Sequence, residues 1–233
     1  MEQNGKVRGV TDLLEREYRS PRHYNKRNPL NEFLFIILSL RTDERVYNKV
    51  YRSFKHRYPR WSQVYSETTA DIASNIYSGG LSLQKAERIE STLGKLMLDF
   101  GDLSLKYIRP YGNEQMEKYL LTLPGVGLKT ARCIMMYSFG REVLPVDTHT
   151  YRVSQRLGFV EGELTEDKAH RGLDKIIPPS LRYSYHVNCV AHGRAVCKFN
   201  NPNCQLCIIN SFCDYHVQNK KDNTLSILRK RKR

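Results

Sequence analysis

Four cysteines near the end of the 233-residue chain carry the clearest chemistry: Cys197-x6-Cys204-x2-Cys207-x5-Cys213. A free cysteine is ordinarily among the most buried residue types, yet this segment is polar, so core filling explains the cluster poorly and a metal centre explains it well. Structural zinc usually takes two close pairs of Cys or Cys/His ligands, whereas here one close pair is flanked by single cysteines. A four-iron cluster accommodates that pattern as well or better, so the spacing favours iron–sulfur and leaves zinc open. Cys133 and Cys189 have no such partners and are expected to pack as apolar residues.

The second constellation is Leu123-Pro-Gly-Val-Gly-Leu-Lys-Thr130, between two helical runs, Glu114–Leu121 and Lys129–Phe139. Two glycines one residue apart open backbone conformations closed to other residues, so two helices can be joined by a very tight turn. The second helix then starts with unpaired N–H groups and the positive end of its dipole, a site for a phosphate oxygen. Leu123, Pro124, Gly125, Val126 and Gly127 are therefore candidate backbone contacts to nucleic acid, which hold phosphate without reading sequence. Most Gly-x-Gly turns are merely structural. Lys129 falls on the first turn of that second helix, where a lysine is ordinarily just solvated; to act as a nucleophile its amine must be neutral, a form favoured by burial and by the helix dipole. Eighteen residues later, Pro145-Val-Asp-Thr-His-Thr-Tyr151 places Asp147 where a helix should start. Its plain role is an N-cap worth about 1 kcal/mol, and a capped, ionised carboxylate is also well placed to face an amine or a developing cation.

Helices must position these groups. Apolar residues recur three and four apart in Val10–Tyr18, Leu30–Leu40, Val46–Tyr58, Ala70–Ile76, Lys85–Phe100 and Tyr151–Phe159, and no stretch sustains strand-like alternation. Gly, Pro, Asp and Thr punctuate the runs, which predicts an all-α protein of about ten helices. With 40% hydrophobic residues the chain can bury a core near the size at which one core divides. The formal charge of +14 points to a polyanionic partner, nucleic acid first. Of that charge, +6 lies from Val217 onward, in seven Lys or Arg and one Asp, and the body stays basic at +8. The end Arg229-Lys-Arg-Lys-Arg233 is expected to be solvated, with a phosphate contact or a nuclear-import signal as other readings. The longest apolar stretch, Phe33–Leu38, is six residues against the roughly 20 that span a bilayer, so no membrane role is expected. Without a secretory start or a disulfide framework, the expected setting is intracellular and reducing, the cytoplasm or nucleoid of a prokaryote or else a nucleus.

Taken together, Leu123-Pro-Gly-Val-Gly-Leu-Lys129, Val146-Asp-Thr-His149 and the cysteine spacing resemble the endonuclease III family of helix-hairpin-helix DNA glycosylases. Ile37-Leu-Ser-Leu-Arg-Thr42, Gly80-Leu-Ser-Leu-Gln-Lys-Ala86 and Val190-Ala-His-Gly-Arg194 extend the resemblance in the same order. It implies an all-α, two-lobed fold with DNA in the cleft. Residues 30–143 would form a six-helix barrel lobe carrying the hairpin, residues 1–29 with 144–219 an iron–sulfur lobe, and residues 220–233 a basic tail. By motif, Lys129 takes the nucleophile position, Asp147 the essential carboxylate, and Cys197, Cys204, Cys207 and Cys213 the ligands of a [4Fe-4S] cluster.

The resemblance further implies a monomeric base-excision enzyme, both glycosylase and abasic-site lyase, acting on oxidised pyrimidines in duplex DNA whose damaged or mispaired nucleotide is extruded. Mismatched uracil or thymine, or an oxidised purine, is the alternative within that chemistry. Outside it stand a cluster-containing DNA-binding module that does not cut and a zinc-stapled nucleic-acid adaptor. Two departures bear on substrate: the family usually has a gap-filling glutamine in the stretch matching Ser39-Leu-Arg-Thr42, and this chain has Arg41, which could stack there or simply be a surface residue. Between the first two cysteines, Lys198-Phe-Asn-Asn-Pro-Asn203 carries one basic residue where the family often carries several. His149 and His192 are expected to be hydrogen-bonded structural residues, and the tyrosines mainly to pack on helix faces.

Overall fold

A computed structural model describes residues 3–22, 25–162 and 165–218, so the basic tail expected at 220–233 lies outside the described residues. All regular structure among them is helical: eleven α-helices and four short 3-10 turns. No helix among them is long and apolar enough to cross a membrane. The chain divides into two compact units, one of Met1–His23 with Glu142–Arg233, the other of Tyr24–Arg141.

The central unit is organised by α2 (Pro29–Ser39), where the Asn28 side chain accepts from the backbone N–H of Leu30 at 3.1 Å and of Asn31 at 3.0 Å. Pro29 in its first turn suits a helix start, where the missing N–H has no intrahelical partner to lose. The helix is apolar apart from Asn31, Glu32 and Ser39, and Leu30, Phe33, Leu34, Ile37 and Leu38 are at most 1% exposed. Each such side chain contributes about 1.5–3 kcal/mol when buried. It packs against α3 (Glu44–Arg57), α6 (Ser82–Phe100) and α8 (Leu128–Phe139). Two short helices, α4 (Trp61–Tyr65) and α5 (Thr69–Asn75), lie on α6, and α7 (Asn113–Leu121) packs against α8.

The other unit joins α1 (Gln3–Tyr18) to α9 (Thr148–Arg156), α10 (Glu166–Ile176) and α11 (Arg182–Ala195). Its core combines Val7, Val10 and Leu14 of α1 with Val153, Leu173, Tyr185 and Cys189. The fully buried Cys189 and the nearly buried Cys133 sit as the packed apolar residues expected of them. The helix expected from Val10 begins seven residues earlier, because α1 is thinly apolar at its start and is held there by its neighbours. At Gly9 an added Cβ would stand 2.8 Å from the Phe212 ring, so the missing side chain lets α1 approach the cysteine segment.

Candidate functional site

The hairpin is built by α7, a turn over residues 122–127, and α8. Leu123 and Val126 are buried and anchor the turn from within, and the Val126 N–H donates to the Leu123 carbonyl at 3.1 Å. Gly125 has φ +77°, a conformation L-residues avoid, and an added Cβ would stand 2.5 Å from Arg88 Cδ on α6. That contact places a further basic residue, Arg88, against the turn, where nothing in the local sequence announced it. Pro124 is half-buried, while Gly125 and Gly127 are exposed, and no side chain caps α8 at Gly127. Backbone donors at such a helix start suit a phosphate oxygen. Gly125→Ala is expected to destabilise the protein by about 1–2 kcal/mol through backbone strain alone, read as a lower urea midpoint, and to weaken duplex binding.

Lys129, second residue of α8, is half-buried. A charged neighbour that sequence reasoning missed is Glu32 on α2, fully buried and in electrostatic contact with Lys129. Its carboxylate accepts from the Lys26 backbone N–H and from Asn25 Nδ2, both at 2.5 Å. Burial raises the Glu32 pKa, and those hydrogen bonds with the charges of Lys129 and Lys26 oppose the rise. The signal was a lone carboxylate inside the apolar run Pro29–Ser39, where an unpaired charge is costly. Beside it the Lys26 ammonium lies 4.3 Å from the Phe35 ring centroid and 4.5 Å from that of Tyr51. This arrangement can hold an ammonium or receive its proton. Glu32→Ala strands two half-buried donors and should lower unfolding free energy by about 2 kcal/mol in urea titrations.

Asp147 lies in the other unit. It caps α9, its Oδ1 accepting from the Thr150 N–H at 2.7 Å, and is half-buried. The preceding residue is pinned as well: Val146 N–H donates to His170 Nε2 at 3.0 Å, and the opposite ring nitrogen lies 2.8 Å from the Glu166 carbonyl. The fully buried His170 thus orients the segment that carries the carboxylate, and its single position on α10 gave no sign of this. Arg41 is exposed, with φ 51°, in the same unit as the hairpin.

Cys197, Cys204, Cys207 and Cys213 line one cavity together with Arg156 and Tyr215. The Arg156 guanidinium donates to Cys197 Sγ at 3.1 Å, to the Lys198 carbonyl at 2.8 Å and to the Phe199 carbonyl at 3.0 Å. Arg152 donates to the Cys197 carbonyl at 2.9 Å. Burial pushes the Cys207 thiol up to about 11 and the Cys213 thiol upward too, while the backbone amides of Ile209, and of His216 and Tyr215, oppose the rise at each sulfur. His192 is fully buried, 2.9 Å from the Tyr18 hydroxyl and 3.5 Å from Cys207 Sγ, and burial takes its pKa down to about 4. His149 is half-buried with Arg152 at 3.0 Å. Among the described residues no group of three or more His, Cys, Asp or Glu is placed to hold a metal ion. Four thiolates round one zinc, each about 2.3 Å from it, would have to converge on a point. Four soft donors round one cavity, with amides and a guanidinium at the sulfurs, fit a thiolate-held metal group.

Residues 34–179 match the profile of HhH-GPD superfamily base excision DNA repair proteins. Endonuclease III of Thermotoga maritima is 30% identical over 206 residues, spanning 87% of this chain and 91% of the relative. A relative from Arabidopsis thaliana named as a DNA glycosylase is 31% identical over 73% of this chain, and the match spans only 59% of that relative's length. Among solved structures, an endonuclease III trapped as a covalent intermediate with DNA superposes with a TM-score of 0.81 at 26% identity, covering 94% of this chain and all of the other.

Proposed function

The chain belongs to the HhH-GPD superfamily of base excision DNA repair proteins, and within it to the endonuclease III family; from that membership we propose a bifunctional DNA glycosylase and abasic-site lyase acting on oxidised pyrimidines in duplex DNA. The observation that carries this reading is Lys129 on the first turn of α8, directly after an uncapped Gly-x-Gly hairpin and beside a buried carboxylate. The covalent DNA complex of the solved relative supports it, because such an adduct needs a nucleophile.

In this reading the hairpin amides and the basic side chain of Arg88 hold phosphate, and Arg41 fills the space left by an extruded nucleotide. The Lys129 amine attacks C1′ of the sugar while the glycosidic bond breaks, and the base leaves with the bonding electrons. Asp147 stabilises the positive charge that develops on the sugar, and a proton passes from the attacking nitrogen to solvent or to a neighbouring carboxylate. The ring opens to a Schiff base. Removal of a 2′ proton then expels the 3′ phosphate by β-elimination, and hydrolysis frees Lys129.

Cys197, Cys204, Cys207 and Cys213 would hold a [4Fe-4S] cluster, which supplies a rigid centre for their loop and no open site for substrate. The test is incubation with duplexes carrying thymine glycol, uracil, a G·T mismatch, oxidised guanine or a plain abasic site, followed by borohydride. An adduct on thymine glycol and on the abasic site is expected. An adduct on uracil, the G·T mismatch or oxidised guanine in place of thymine glycol reassigns the substrate, and DNA binding without any adduct replaces the enzyme with a non-cutting module.

A further inference from the structure

Lys85 on α6 is 1% exposed, and the reaction above makes no use of it. Its ammonium donates to three neutral oxygens: the Leu38 carbonyl at 2.9 Å, Thr42 Oγ1 at 2.8 Å and the Gly79 carbonyl at 2.9 Å. An ammonium has three donors, and all three are used. Thr42 completes the knot by donating its own hydroxyl to the Gly79 carbonyl at 2.6 Å.

These acceptors come from two places distant in sequence, the last turn of α2 with the loop after it, and the 3-10 turn Tyr77–Gly79 that leads into α6. Leu38 and Thr42 flank Arg41, and Gly79 precedes Gly80 and Leu81. Arg41 and Leu81 share a rare property, a left-handed backbone in a residue with a side chain, at φ 51° and φ 50°. Both project to the surface, Leu81 at 44% exposure. A strained conformation persists only where its surroundings hold it. The two segments noted in the sequence, Ile37–Thr42 and Gly80–Ala86, therefore meet at one buried ammonium. A hydrophobic residue would avoid the desolvation of a buried charge, but only a cation with several donors can tie carbonyl and hydroxyl oxygens of two loops to one point.

We propose that Lys85 is a positioning residue, a buried strut that fixes the Arg41 and Leu81 loops as one rigid pair, so that both side chains are preset for the gap opened when a base leaves the duplex. The inference rests on the base-excision reading above. Binding to the undamaged duplex, held by the hairpin, is independent of it.

The experiment compares the full chain with its Lys85→Met and Thr42→Val variants on a duplex bearing a tetrahydrofuran abasic analogue opposite 2-aminopurine, and on the intact duplex. Affinity and 2-aminopurine fluorescence are read together. Lys85→Met should lose about tenfold of the preference for the abasic duplex, along with the fluorescence change on binding, at unchanged affinity for the intact duplex. Thr42→Val should fall between, and it decides the matter where Lys85→Met does not fold. Folded variants that keep both the preference and the fluorescence change overturn the strut alone. A wild-type protein that cannot tell the two duplexes apart overturns the base-excision reading, and the strut's role with it.

Discussion

Lys129→Ala should abolish the borohydride-trapped adduct with duplex DNA and slow strand scission at an abasic site by at least about a thousandfold, the scale on which loss of an enzymatic nucleophile acts. Among the groups assigned to this chemistry, a Schiff base requires an amine, so neither Asp147 nor Glu32 can replace it. Lys129 is half-buried on a helix whose core contacts come from Ala131, Ile134 and Met135, so the variant should fold with unchanged helical content. Circular dichroism checks that. The competing amine is Lys26, whose pKa burial lowers below the ordinary lysine value, leaving more of it neutral than an exposed lysine would be. An adduct that survives Lys129→Ala and disappears in Lys26→Ala would transfer the nucleophile to that residue.

The second large effect concerns the cysteine cavity. Protein isolated without oxygen should be yellow-brown, with absorbance near roughly 400 nm from thiolate-held iron. Cys204→Ser should lose that band and lower the melting temperature by roughly 10 °C, a loss of a few kcal/mol at about 2–4 °C per kcal/mol for a chain of this size. Apart from the thiols, the loop 197–213 meets the core of its unit through Ile208, Ile209 and Phe212, all near its C-terminal end. Without the metal centre its first half is held to the unit chiefly by Arg156 and Arg152, which bond Cys197, Lys198 and Phe199. Colourless protein with stoichiometric zinc would keep the site and change the metal. Colourless, metal-free protein with full stability would remove the metal centre altogether.

Much of this was legible from the residue string, for physical reasons that differ by element. The helices α2, α3, α6 and α7 are amphipathic or largely apolar, and α2 and α3 carry Asn and Asp N-caps, so pattern and punctuation find them. The helix α11 is different: His186, Asn188 and His192 are buried within it, so the polar and apolar residues do not segregate into faces. Their partners come from far along the chain, as when Asn188 accepts from the Ser20 N–H at 3.0 Å and donates to Glu15 at 2.7 Å. The hairpin glycines and the cysteine spacing could be read because their chemistry is local in sequence. Arg88, Arg156, His170 and Lys85 could not, since each acquires meaning only from a neighbour brought to it by folding, and Glu32 showed only as a carboxylate out of place in an apolar run, its partners hidden.

One unit is assembled from the two ends of the chain, because α1 packs against α10 and α11. Synthesis runs in one direction, so residues 24–141 are complete in the nascent polypeptide well before the partners of α1 exist. At about 5–20 residues per second, roughly 10 to 35 seconds separate the making of Tyr18 from that of Ala195. Through that interval Val7, Val10 and Leu14 lack their full native cover. The four thiols are translated after all of α1 to α11, so metal insertion must follow, and cannot guide, the earliest folding of residues 24–141 on the ribosome.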